Sequence, residues 1–339
     1  MKPANVAVIG IGAWGKNLLR NFASLKGCTV TVGCDADAKN KATVANLSPA
    51  ATFTTDFRQA LDADSVEAVV IATPPDSHFA IARAALEVGK DVFVEKPLTL
   101  QVADGETLVR LAEQNKRILM VGHIMEYHPA VLKLKGYVTS GELGKIYYLY
   151  ATRVNLGKVR DTENALWSFA PHDISLVLFL LEQKPVKVTA NGAAYLKPRI
   201  PDVVFLSLQF AEGTLAHIHV SWLDPHKDRK LTVVGSRKMA VFNDTEASEK
   251  IWIYDKGVDT KLDYNTYAEF LSLRTGDITI PKVDGGEPLA VECQHFLDCV
   301  AKRVQPRSDG QDGLTVLRVL AAAQQSLDQG GTPVEVRYA

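Results

Sequence analysis

Residues Val6–Leu19 read VAVIGIGAWGKNLL, a short apolar run that breaks on glycine and resumes at the spacing of a helix. Val6–Ile9 predicts a buried strand, and the apolar residues of Asn17–Leu25 predict an amphipathic helix. Between them Gly10-Ile11-Gly12-Ala13-Trp14-Gly15 has the G-x-G-x-x-G spacing in the strand-to-helix context that a dinucleotide fingerprint requires. Gly10 permits the tight turn, Gly12 lets the backbone approach a pyrophosphate, and Gly15 lets helix and strand pack closely. The phosphates would rest on the helix N-terminus, where unpaired N–H groups and the helix dipole favour negative charge. A tight turn that serves no ligand has the same spelling, so the next acid along the chain matters. Asp35 ends the strand TVTVGCD twenty residues beyond Gly15, the spacing of a carboxylate that hydrogen-bonds the adenosine ribose. It would repel a 2′-phosphate, and no arginine follows closely, so the expected cofactor is NAD rather than NADP.

Outward from this unit, Val/Ile runs alternate with helical patterns as far as RILMVGH, which ends at His123. That alternation predicts an α/β fold, an N-terminal Rossmann domain with a doubly wound parallel sheet over residues 1–123. From 124 to 339 the pattern changes. A helix over Ala130–Thr139 and an apolar helix over His172–Leu181 accompany a succession of strands from IYYLYATRVNL to KIWIYD, which predicts an α+β domain with a large, mostly antiparallel open sheet. Tyr264–Glu287 reads as a long loop, and helices over Leu289–Lys302 and Gly313–Asp328 follow.

The 339 residues are too many for one comfortable core, and 47% hydrophobic content fills two. With 38 Lys and Arg against 39 Asp and Glu, the chain has no electrostatic footprint for nucleic acid or an acidic membrane. Cys28, Cys34, Cys293 and Cys299 match neither a zinc site nor a disulfide framework and read as reduced thiols of a cytoplasmic protein. No signal-peptide pattern, membrane-length apolar run or metal-ligand spacing is read.

Four further stretches carry candidate chemistry. Thr73-Pro74-Pro75-Asp76-Ser77-His78 follows a strand at the carboxyl edge, where doubly wound sheets bind ligands. Its prolines stiffen the loop, and Ser77 is placed to cap the next helix. A plain strand-to-helix turn reads alike. VFVEKP delivers Glu95 and Lys96 to the same edge. A desolvated lysine beside a cationic nicotinamide loses basicity and becomes a proton partner, whereas a surface Glu–Lys pair is merely solvated. His172 follows Pro171 and is read in the first turn of its helix, where the positive helix end favours the neutral imidazole. A capping or core histidine fits that stretch equally. Arg153, Lys158 and Arg160 follow one strand, and Arg229 lies between two others. Together they suit an anionic ligand, or are exposed basic loops.

With Gly10–Gly15, Asp35, the TPP loop, Glu95-Lys96-Pro97 and His172 in order, the chain resembles the glucose-fructose oxidoreductase/inositol dehydrogenase/MocA family over nearly its whole length. The resemblance implies Lys96 and His172 as catalytic residues. It implies Gly10, Ile11, Gly12, Ala13, Trp14, Gly15, Asp35, Thr73, Pro74, Pro75, His78, Glu95 and Lys96 around NAD. Many members carry an aspartate four residues before the histidine, where this chain has Ser168. The finer pattern of R-x-N-L-G with Arg153 and Asn155, LWSFAPHDIS, and W-L-D-P-x-K-x-R with Arg229 is similar to the nucleotide-sugar branch. It implies substrate contacts from Lys96, Arg153, Asn155, Arg160, Asn164, Trp167, His172 and Arg229. The expected reaction is oxidation of the 3-hydroxyl of UDP-N-acetylglucosamine for 3-amination in lipid A synthesis, coupled to an aminotransferase. UDP-N-acetylglucosaminuronate, an inositol or polyol, and a non-catalytic NAD-binding regulator are the alternatives. A homodimer or homotetramer is expected.

Overall fold

The buried Val/Ile runs of the first third form a six-stranded parallel sheet in the order β3-β2-β1-β4-β5-β6, comprising β1 (Ala4–Ile9), β2 (Cys28–Cys34), β3 (Thr52–Thr54), β4 (Ala68–Ile71), β5 (Asp91–Glu95) and β6 (Leu119–Gly122). The computed structural model describes residues 4–157, 159–260 and 271–338. The chain folds as two units. The first runs through Tyr127 and takes back Gly286–Leu317, and the second holds His128–Gly285 with the chain from Arg318 onward.

In the first unit β4, β5 and β6 are buried at every position, as strands covered on both faces must be. Helices α1 (Gly15–Ser24), α2 (Lys41–Leu47), α3 (Phe57–Asp62), α4 (Pro75–Glu87) and α5 (Val102–Gln114) connect them. Helix α8 (Pro288–Lys302) packs on α1 and on the 3₁₀ turn Ile124–Tyr127. Phe22, Phe93 and Phe296 meet edge to face with centroids 5.7–6.2 Å apart, which places α1, β5 and α8 around one apolar centre. The strand order reverses between β1 and β4, so the loops after Ile9 and Ile71 flank the switch point at which such sheets bind ligands. Strand β3 has three residues, too few for an alternating pattern to show in the sequence.

The second unit carries a nine-stranded sheet, β14-β13-β12-β11-β7-β10-β9-β8-β15, antiparallel apart from the β7/β10 pair. Its strands are β7 (Ile146–Val154), β8 (Pro185–Ala193), β9 (Val203–Phe210), β10 (Leu215–Ser221), β11 (Asp228–Gly235), β12 (Met239–Asn243), β13 (Ile251–Thr260), β14 (Leu271–Thr279) and β15 (Val334–Glu335). Helix α7 (Ala165–Leu181) covers one face of β7, β9 and β10, and α6 (Pro129–Thr139) packs on α7. The other face is open, showing Tyr148, Tyr150, Phe205 and Leu215 in alternation with buried Leu149, Ala151, Leu206 and Ala216. Helix α9 (Gly310–Asp328) follows α8.

Two expectations are corrected. Leu271–Thr279, read as part of a long loop, pairs antiparallel with β13, and its exposed Leu273 shows why an edge strand with little buried surface left no apolar signature. The portion of that loop at 261–270 lies outside the described residues. Helix α7 begins at Ala165 rather than near His172, because the Asn164 side chain accepts from the Trp167 N–H and starts the helix a full two turns earlier. Pro171 is therefore inside the helix.

Candidate active site

The glycine loop has the form its spacing predicts. Gly10 adopts φ +89°, and a Cβ there would sit 2.6–2.8 Å from the Ala72 and Thr73 backbone. A Cβ on Gly15 would lie 1.7 Å from the Gly10 carbonyl oxygen, so both positions require glycine. A Cβ on Gly12 would meet nothing within 4 Å, which leaves the backbone there open to a ligand. Helix α1 has neither a side-chain cap nor an acid in its first turn, so no side chain competes with an anion there, while the Lys16 and Asn17 N–H groups reach the Gly12 and Trp14 carbonyls at 3.3 and 2.8 Å. Asp35 accepts from the Ile11 N–H at 2.6 Å and from the Asp37 N–H at 2.8 Å, fixing its carboxylate beside the glycine loop. These residues fit the adenosine and pyrophosphate parts of NAD.

The neighbouring loop departs from its reading. Pro75 begins α4, which places Ser77 within the first turn instead of at the cap. Its hydroxyl lies 2.7 Å from both the Pro74 carbonyl and Thr73 Oγ1. His78, read as a cofactor residue, is fully buried, with Nδ1 2.9 Å from the Pro97 carbonyl and Nε2 2.9 Å from the Thr73 carbonyl. It ties the TPP loop to the EKP loop, and burial lowers its pKa while the two carbonyls oppose that change. Thr73, Pro74 and Pro75 remain at the switch point.

Glu95 closes β5 opposite Gly122, where a Cβ would come within 3.0 Å of the Glu95 carboxyl carbon. Its carboxylate accepts from the Trp14 indole N–H and from the Lys96 backbone N–H. The Trp14 ring, 42% exposed, is thereby held along the loop that carries Ala13 and Gly15. Burial pushes Glu95 up to about 7 against the opposing Trp14 bond and Lys96 charge. Lys96 is half-buried, and its charge acts on Glu95, His78 and His123 together.

In the second unit, Asn164 and Trp167 share one partner. Asn164 Nδ2 and Trp167 Nε1 donate to Gln324 Oε1 at 2.9 and 3.0 Å. His172 lies one turn beyond buried Ser168 on the same helix face. Because it is well inside α7, the helix-end argument for its neutral form does not apply. Arg153, expected to face an anionic ligand, is buried and grips Asp173 with two bonds of 2.7 and 3.1 Å. Arg229 stands opposite Arg153 in the β7/β11 ladder, reaches Asp244 at 3.4 Å and keeps 39% of its side chain exposed. Arg160 is exposed and pairs with Glu163 at 2.8 Å. Asn155 packs its amide over Gly157. Lys158 lies outside the described residues.

Several polar residues of these units were not singled out from sequence. Asp173 is a lone acid in the apolar run that ends HDISLVLFLL, and a lone charge on such a helix signals a buried partner. Glu292 falls on the apolar stripe Leu289–Cys293–Phe296 of α8 and is fully buried. Gln324, a polar residue on a terminal helix, gave no local signal.

The open glycine, the uncapped helix and the anchored Asp35 define a dinucleotide-binding domain. Residues 4–123 match the oxidoreductase family with an NAD-binding Rossmann fold, and residues 131–241 match the GFO/IDH/MocA C-terminal domain. The chain belongs to the GFO/IDH/MocA oxidoreductase family. It is similar to UDP-N-acetylglucosamine 3-dehydrogenase of Acidithiobacillus ferrooxidans, with 29% identity over 319 residues, 94% of each chain. A solved structure of that enzyme covers 97% of this chain and 99% of its own, with TM-score 0.80 and 24% identity. A crystal structure from Magnetospirillum magnetotacticum MS-1 is 30% identical, with 95% and 99% coverage and TM-score 0.80. Levoglucosan dehydrogenase in complex with NADH and L-sorbose shares the fold, with TM-score 0.84, 20% identity and full coverage of both chains.

Proposed function

We propose that this oxidoreductase removes hydride from C3 of UDP-N-acetylglucosamine, giving the 3-keto sugar for a following amination in lipid A synthesis. The observation that carries this reading is the likeness to the Acidithiobacillus ferrooxidans 3-dehydrogenase across 94% of both chains, rather than over the cofactor domain alone. NAD, when bound, supplies the hydride acceptor. Gly12, the first turn of α1 and Asp35 are the proposed pyrophosphate and ribose contacts, with Thr73, Pro74, Pro75 and Trp14 beside them. Lys96 and His172 are the proposed proton-handling residues. Asn155, Arg160, Asn164, Trp167 and Arg229 are proposed for the substrate, and Arg229 and Arg160 keep exposed guanidinium surface for a diphosphate. Arg153 acts through Asp173, which directly follows His172. The open face of the nine-stranded sheet, with its aromatic and apolar side chains, supports assembly into a dimer or tetramer.

A cytoplasmic location follows from a nucleotide-sugar substrate. Among the described residues no helix is long and apolar enough to cross a membrane, and no cluster of potential metal ligands occurs. The test is NADH formation by the purified chain across UDP-N-acetylglucosamine, its uronate, inositol and other sugar nucleotides, with and without a coupled aminotransferase. Turnover on inositol and none on UDP-sugars would replace the proposed substrate. No hydride transfer in any arm would leave a non-catalytic NAD-binding role.

A further inference from the structure

Five titratable side chains gather in the first unit near the carboxyl ends of β5 and β6, and the cofactor reading uses only one of them. Glu95 ends β5, His123 follows β6, Glu126 lies in the 3₁₀ turn, Glu292 is on α8, and Asp312 is in the first turn of α9. Glu292 is 0%, Glu126 1% and His123 1% exposed. Both carboxylate oxygens of Glu292 and both ring nitrogens of His123 make no hydrogen bond to protein, while the Glu126 and Asp312 carboxyls meet each other. Buried polar atoms are normally satisfied, and unpaired atoms of this kind, gathered in one region, are the groups that ordered water bridges, since water binds where several polar partners converge.

The groups act on one another in turn. Glu95 acts electrostatically on Glu292, and Glu292 on Glu126. Asp312 acts on Glu126, and its Oδ2 is 4.0 Å from His123 Nε2. His123 in turn feels the Lys96 charge, and Lys96 adjoins Glu95. The Asp312 side chain is 24% exposed, so one end of the series reaches solvent.

We propose that Glu95, Glu292, Glu126 and Asp312, with His123, line a buried hydrated path that carries protons from Lys96 to solvent at Asp312. This rests on the dehydrogenase reading. Oxidation of a secondary alcohol sends hydride to the nicotinamide and leaves one hydroxyl proton on the protein. Lys96 passes that proton to the Glu95 carboxylate and so returns to the protonation state in which it began. Glu95 passes it along the proposed path, and Asp312 releases one proton to solvent, so each turnover restores the starting charges.

The chemistry of the groups suits this transfer. Burial lifts Glu95 and Asp312 to about 7, where a carboxyl both takes and gives a proton near neutrality. Burial lifts Glu292 and Glu126 well above the carboxylate range, helped by Glu95 at Glu292 and by Asp312 and Glu292 at Glu126. Arg307 opposes the rise at Glu126, while Tyr127 and Cys293 also face Glu292. Burial and Lys96 drive His123 down to about 3, leaving a neutral ring beside Asp312.

The experiment compares the full chain with Glu292→Gln and Asp312→Asn. Both variants are expected to bind NAD⁺ within twofold of wild type and to lose about tenfold or more in kcat near neutrality. The loss is recovered by raising the concentration of a small buffer such as imidazole, and the solvent deuterium isotope effect grows. Independently of turnover, wild type at neutral pH shows a carboxylic-acid C=O band in the infrared that Glu292→Gln diminishes. Unchanged kcat in both variants, a loss that no buffer recovers, or the absence of that band in wild type overturns the path. If wild type oxidises no substrate, the dehydrogenase reading fails, and the infrared band then decides the buried protonated carboxyls by itself.

Discussion

Asp173→Ala separates two roles for Arg153, structural partner or substrate contact. In the structure the guanidinium donates through Nε at 2.7 Å and through a terminal nitrogen at 3.1 Å to the two Asp173 oxygens, with the side chains 8% and 3% exposed. Removing one member of such a pair leaves a buried charge without its partner, at a cost of about 3–5 kcal/mol. Asp244 also acts on Arg153 and softens the loss, which places the expectation near the lower figure. For a folding unit of the size of the second one each kcal/mol lowers Tm by roughly 2–4 °C, so the variant should melt about 6–12 °C below wild type. Three of the four tryptophans, Trp167, Trp222 and Trp252, lie in the second unit, so tryptophan fluorescence follows its unfolding. Arg153→Met with Asp173→Leu should regain most of the loss, since apolar replacement of both partners removes the desolvation penalty with the pair. NAD⁺ affinity should stay near wild type in each variant, because the cofactor residues belong to the first unit. A melt within about 1 °C of wild type for Asp173→Ala, together with a raised KM for the UDP-sugar in Arg153→Ala, would refute the structural role and restore Arg153 as a substrate arginine.

Three other perturbations test the cofactor half. Asp35→Ser should weaken NAD⁺ binding by about 10- to 100-fold, the equivalent of charge-assisted hydrogen bonds worth roughly 1.5–3 kcal/mol, and should narrow discrimination against NADP⁺. Calorimetric titration with both nucleotides measures this, and an unchanged NAD⁺ Kd removes Asp35 from the ribose. Glu95 rises from 4.5 to about 7 in the folded chain, so the folded state holds its proton more tightly. Its contribution is complete below pH 4.5 and is lost as pH rises through about 7; at about 1.4 kcal/mol per pH unit this is on the order of 3 kcal/mol. Urea titrations of Glu95→Gln should therefore show a flatter pH dependence than wild type across that window, and an identical slope contradicts the burial argument. His78→Phe leaves the Thr73 and Pro97 carbonyls without their ring partner and should cost about 1–3 kcal/mol, read as a lower urea midpoint.

Legibility followed the range over which each feature is encoded. The glycine loop, Asp35 and the alternation of apolar runs with helices are local patterns, and each had its expected form, because a backbone that must turn under a helix admits only glycine at Gly10 and Gly15. Residues whose chemistry depends on distant partners were read less well. His78 looked like a loop residue until Thr73 and Pro97 closed around it, and Arg153 looked free until Asp173 filled its fork. The start of α7 was misplaced because Pro171 was read as a helix opening, although Asn164 carries the stronger starting signal of a capping side chain. Glu292 shows what a stricter reading would find. An acid on the apolar stripe of a helix must be buried with its charge suppressed or compensated, and here burial itself suppresses it, with the neighbouring Glu95 adding to the effect. Burial of a second carboxyl beside the EKP glutamate therefore destabilises two charges for one fold, a cost that packing alone would remove with leucine at 292. The cost is intelligible on the proposed proton path, which uses a neutral, proton-bearing carboxyl next to Glu95.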